Sequence, residues 1–122
     1  MTIRSFKDLR TWQEAHKLCV DVYRVTSKFP RNEIYGLTSQ MRRAAVSVAS
    51  NIAEGMGRNS TNDRIRFFIM SRGSTQELLS QLELAKDLGF LKLFPYSQLT
   101  SRYNGLAAGI NKHIKHISAS TP

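Results

Sequence analysis

Apolar residues recur every three or four positions through four long stretches of the chain, and no stretch of useful length alternates as a strand does. The first stretch, about 9–29, carries Leu9, Trp12, Ala15, Cys19, Val22 and Phe29. Pro30 stops it, because proline cannot continue a helix and biases its predecessor away from one. The second, about 36–56, has Leu37, Met41, Ala44, Ala45, Val48, Ile52 and Met56 as its stripe, with Gly55 and Gly57 at its end as glycines near a C-cap. The third, about 61–88, starts after Ser60, which can cap the helix with Asp63 three residues on. It continues through Ile65, Phe68, Ile69, Leu78, Leu82 and Ala85 until Gly89 closes it. The fourth, about 95–117, opens at Pro95 and carries Leu99, Tyr103, Leu106, Ile110, Ile114 and Ile117. The first five residues and 118–122 are expected to fray.

Short links between long helices place sequential neighbours antiparallel. The pattern therefore predicts an all-α, up-down-up-down four-helix bundle occupying the whole chain, 1–122, as a single domain. Its expected core includes Trp12, Leu18, Cys19, Met41, Val48, Ile52, Phe68, Leu82, Leu106 and Ile110. Phe67, Leu84, Tyr23 and Leu18 lie off the main stripes and give their helices a second apolar face, which points to self-association.

Composition narrows the chemistry. A single cysteine, Cys19, excludes an internal disulfide framework and a multi-cysteine zinc site. No run approaches the roughly 18 apolar residues of a membrane span, and Met1–Phe6 lacks the apolar core of a secretion signal, so the expected compartment is the cytoplasm. The net charge of +9 points toward phosphate-bearing partners. Charge is uneven along the chain: residues 60–89 sum to zero, whereas residues 90–122 carry Lys92, Arg102, Lys112 and Lys115 with no acid at all. His113 and His116 flank the last two lysines and could add charge below about pH 6.5.

Several constellations invite a chemical role. Gly55-Met56-Gly57 before Arg58-Asn59-Ser60 follows a helix and lacks the rest of a phosphate-loop sequence, which leaves only a helix start with Arg58 beside it as an anion site. Ser47, Asn51 and Glu54 share one face of the second helix. No histidine lies near in sequence to activate Ser47, so hydrogen bonds that fix helix register are expected instead of catalysis. Gly73 in mid-helix suggests a close helix approach, across which Ser74 and Glu77 could meet the row on the second helix. Trp12, His16 and Cys19 share a face but show no third catalytic member. Arg42-Arg43, Arg64 and Arg66 could contact phosphate or pair with Glu54, Asp63 or Glu77. No catalytic, cofactor-binding or metal-ligating residue is assigned.

Ser47-Val48-Ala49-Ser50-Asn51-Ile52-Ala53-Glu54-Gly55 resembles the S-[IV]-x-x-N-I-A-E-G signature of the bacterial four-helix bundle proteins, also called 23S rRNA intervening-sequence proteins. The resemblance extends to Phe6-Lys7-Asp8-Leu9 with Trp12, to Phe29-Pro30 with Glu33, Tyr35, Gly36 and Leu37, to Gln40 with Arg42-Arg43, and to Gly73-Ser74 with Glu77. Ser71 departs from it, standing where small apolar residues are usual. The resemblance implies a bundle that assembles into a ring-shaped homopentamer; it implies no enzymatic activity, and the molecular role of the family is poorly defined. It also brings in a relative, the accessory subunit of diversity-generating retroelements, which binds nucleic acid and a reverse transcriptase. RNA, DNA and a reverse transcriptase are thus the implied partners. Phosphate contacts are expected through Arg58, Arg64, Arg102, Lys112 and Lys115. The alternative is a structural or adaptor oligomer that binds another protein and uses its charge for solubility.

Overall fold

A helix needs its first N–H groups and last carbonyls satisfied, and this chain does so with side chains at several ends. In the computed structural model, which describes residues 5–119, the elements are α1 (Arg10–Thr26), α2 (Leu37–Met56), α3 (Thr61–Asp87) and α4 (Leu93–Ala119). One-turn 3-10 helices at Phe6–Asp8 and Arg31–Glu33 precede α1 and α2. Ser5 is no frayed residue: its hydroxyl accepts from the Lys7 N–H while Asp8 accepts from the Ser5 N–H. The fraying expected for residues 1–4 and 120–122 lies outside the described residues, and residues 118 and 119 continue α4.

α1 ends at Thr26, short of Phe29, because polar side chains take over its last carbonyls. Thr26 Oγ1 donates to the Val22 carbonyl at 2.7 Å and Ser27 Oγ to that of Arg24 at 2.6 Å. The chain then tightens into two turns that still deliver Phe29 to the core. Pro95 does not open α4 but falls in its first turn, where a missing N–H loses no helical bond. α3 stops as expected at Gly89, whose φ of +77° is the left-handed conformation that favours glycine.

Each helix packs on its neighbours in sequence, and α1 also meets α4. The four residues between α2 and α3 span at most about 14 Å, too little to return along a helix of about 30 Å, so the pair is antiparallel. Cross-helix contacts fix the rest. Arg42 reaches Thr26 at the junction of α1 and α2, Arg72 reaches Asn111, and His113 reaches Thr11. The result is the antiparallel four-helix bundle, with no strand among the described residues.

The core contains Leu18, Met41, Val48, Ile52, Phe68, Leu82, Leu106 and Ile110, with Tyr103 as its largest fully buried side chain. Trp12 and Cys19 are corrections: both are half-buried and pack against the core from its flank. Trp12 instead stacks on His16 and meets Phe6 edge-on, each at 4.8 Å between ring centroids. Leu18 is fully buried and contributes nothing to a second apolar face, Phe67 is half-buried, and Tyr23 and Leu84 are exposed.

Candidate nucleic-acid interface

The motif row lies along the seam between α2 and α3. Ser47 Oγ and Ser74 Oγ share a 2.8 Å hydrogen bond across that seam, and Asn51 Nδ2 donates to the Ser47 carbonyl at 2.9 Å and to its hydroxyl at 3.0 Å. Ser71, the departure from the family pattern, is fully buried and donates to the Val48 carbonyl at 2.7 Å. These bonds set the register of two helices. They leave Ser47 held by a hydroxyl and an amide, neither of which is a base.

Two parts of the expected meeting across this seam do not occur. Glu54 is exposed and accepts from Arg58 Nη2 at 2.6 Å, and Glu77 accepts from Gln81 on its own helix. Gly73 is exposed, and a Cβ there would meet nothing within 4 Å. The close approach is at Gly55, where a Cβ would stand 3.2 Å from Phe67 and 3.3 Å from the Phe68 ring. Gly55 is thus a contact residue inside α2, and the C-cap is Gly57 in ordinary right-handed conformation.

The basic residues divide into two groups. The ring stack of Phe68 on His113 sets α3 beside α4, so the α2–α3 turn and the last turns of α4 share one end of the bundle. That end carries Arg58, Arg64, Lys112 and Lys115. Arg58 and Arg66 both lie over the Phe67 ring at 4.7 Å, Arg64 Nε donates to the Arg58 carbonyl at 2.8 Å, and Lys112 and Lys115 are exposed without an ion pair among the described residues. The start of α3 is already capped, with the Ser60 hydroxyl accepting from the Asp63 N–H, so the anion site expected there loses that donor.

Arg102 stands apart. Its Nε donates to Glu14 at 3.0 Å and its Nη1 to Asp21 at 2.8 Å, which ties α4 to α1 and matches its charge inside the chain. Partial burial opposes that charge, but the two carboxylates more than offset it and raise the guanidinium pKa. His113 also departs from expectation. Half-buried between Thr11 and Phe68, it is held below the ordinary imidazole pKa by desolvation and by nearby His116, so it resists adding charge. The partners of Arg102 lie more than 80 residues away in sequence, and no local pattern reveals them. Among the described residues, no three metal-ligating side chains cluster, and no helix is long and apolar enough to cross a membrane.

Comparison with known proteins adds the lineage. The chain is similar to a solved protein of unknown function from the S23 ribosomal protein family of Bacteroides thetaiotaomicron, with 17% identity and a TM-score of 0.82 over 89% of this chain and 98% of that one. No curated protein matches. The family model described as 23S rRNA-intervening sequence protein matches residues 7–112, from the turn before α1 into the last third of α4. With that span and this bundle, the chain belongs to the 23S rRNA-intervening sequence protein family.

Proposed function

We propose that the protein is a non-enzymatic oligomer that binds RNA or DNA through the basic end of its bundle. The observation that carries this function is the gathering of Arg58, Arg64, Lys112 and Lys115 at one end, where an acid-free α4 leaves both lysines unpaired. Arg102 drops out of the contact set because two carboxylates, Glu14 and Asp21, already hold it, whereas Arg58 shares its charge with Glu54 alone and contributes less than the unpaired lysines. Self-association into a ring, with five chains favoured by the family resemblance, would repeat that end and convert weak phosphate contacts into avidity. Val46, Ile69, Met70 and Leu84, each at least 43% exposed, favour an oligomer over a lone bundle. A reverse transcriptase is a candidate protein partner, and the cytoplasm the expected compartment. An adaptor that binds only protein would use the same apolar surface without the basic end.

A salt titration tests the nucleic-acid function. Affinity for mixed-sequence RNA and DNA should fall steeply between about 50 and 300 mM salt, with little dependence on sequence. Lys112→Gln with Lys115→Gln should weaken binding to every sequence and flatten the salt slope, while Arg102→Gln should leave the slope unchanged. Absence of binding at the lowest salt would leave the protein-binding adaptor. Light scattering tests assembly separately: the expected particle is five times the 13.9 kDa of one chain, and a particle of that single-chain mass refutes the ring.

A further inference from the structure

Of the four half-buried arginines among the described residues, Arg58 and Arg102 pair with carboxylates, Arg72 donates to Asn111, and Arg42 is held by a hydroxyl, a carbonyl and a ring. Arg42 lies where α1 hands over to α2, and no carboxylate is within ion-pair distance of it among the described residues. Arg24, Arg58, Arg66 and Arg102 each have such a partner. Arg42 is nonetheless held in place. Its Nε donates to Thr26 Oγ1 at 2.9 Å, its Nη2 points at the Tyr23 carbonyl at 3.5 Å, and its plane lies over the Tyr23 ring at 4.8 Å. Thr26 spends its own proton on the Val22 carbonyl, so it can only accept from Arg42. With Nε and one Nη2 hydrogen so used, the Nη1 hydrogens remain for an external acceptor.

An open cleft of about 430 Å³ has Arg42 in its lining. Phe29, Pro30 and Ile34 give it an apolar wall, and Arg31 lines it beside Arg42. Thr38, which is 2% exposed, also lines it and brings a hydroxyl to the cleft. A positioned cation without a counter-charge, a threonine hydroxyl and an apolar wall meet in one concavity, the composition of a small-ligand site.

We propose that this cleft binds a small organic acid, its carboxylate on Arg42 and Thr38 and its apolar body against Phe29, Pro30 and Ile34. The planar guanidinium matches the two oxygens of a carboxylate and gains most where water is partly excluded. The apolar wall selects against a bare inorganic anion, which would lose hydration there without return. This site is at the opposite end of the bundle from Arg58, Arg64, Lys112 and Lys115 and does not depend on nucleic-acid binding.

Hexanoate is a suitable probe, titrated into the intact protein while the Ile34 methyl resonance is followed. Hexanoate should bind at least about tenfold more tightly than hexanol, acetate or inorganic phosphate, since each control lacks the charge, the apolar body or the planar acid. Arg42→Gln should weaken hexanoate by about tenfold and leave hexanol unchanged, and Arg64→Gln at the far end should have no effect. Thr38→Val preserves side-chain volume and should weaken hexanoate several-fold, which keeps the test decisive if Arg42→Gln fails to fold. The proposal is overturned if hexanoate binds no better than hexanol, if phosphate matches it, or if a folded Arg42→Gln or Thr38→Val protein retains full affinity.

Discussion

The α2–α3 and α1–α4 seams join helices of similar character by opposite means. Between α2 and α3, Gly55 lets the backbone come within contact of Phe67 and Phe68, and short hydroxyl bonds from Ser71 and between Ser47 and Ser74 lock the register. Between α1 and α4, long side chains reach across: Arg102 to Glu14 and Asp21, and His113 to Thr11. Glycine also differs in meaning at the two places. A Cβ at Gly105 would meet nothing within 4 Å, and this residue helps to line an open groove of about 420 Å³ with Arg10, Glu14 and Arg102. Small residues make one seam intimate, while on the other they leave it open. Residue size alone does not decide which.

Gly55→Leu should break the comparison most severely, because its side chain would enter space already filled by two phenylalanines. A loss of about 3 kcal/mol is expected from overpacking, read from the midpoint of urea unfolding. An unchanged midpoint would mean that the seam is looser than its distances imply. Gly105→Ala should act in the other direction. With open space at that position, a helix-interior alanine should stabilise the protein by about 0.5–1 kcal/mol, visible as a rise in Tm. If both substitutions destabilise alike, the two seams are equally tight and the contrast fails.

The smallest expected effect comes from pH. Because the folded pKa of His113 is depressed, the folded state binds fewer protons than the unfolded state in the interval below about pH 6.5. Stability should therefore decline as pH falls from the unfolded value toward the folded one, and then level off. His113→Gln should remove that part of the decline while His116→Gln should leave most of it. Thermal melts across that interval decide the matter, and an identical decline in wild type and His113→Gln would exclude His113 as its source.

The sequence made the four helices legible because each stripe repeats at helical spacing and punctuation falls near each end. Phe68, Leu82 and Ile110 were readable as core for the same reason. Gly73 and Gly55 were not distinguishable, since mid-helix glycine looks the same whether a neighbour crowds it or solvent surrounds it. Spacing puts Glu54 on the face of Ser47 and Asn51, and Glu77 beside Ser74, yet each finds a partner on its own helix or in the turn after it. The ion pairs of Arg102 are not legible in the sequence because its carboxylates come from α1. Arg42 was visible as a charge, but its lack of a counter-charge emerged only from the packing of α1 and α2.

The bonds from Arg102 to Glu14 and from Arg42 to Thr26 close loops of very different length, with separations of 88 and 16 residues. Loop-closure entropy makes the longer one about 1.5 kcal/mol harder to form from a flexible chain. The α1–α2 turn and the α3–α4 hairpin can therefore assemble early from near neighbours, while the clasp between α4 and α1 waits for the rest of the bundle. The order reverses in opening. A transient fluctuation should release α1 from α4 before it disturbs the α2–α3 pair, and hydrogen exchange should then be faster for backbone amides of α1 than for those around Val48 and Ser71.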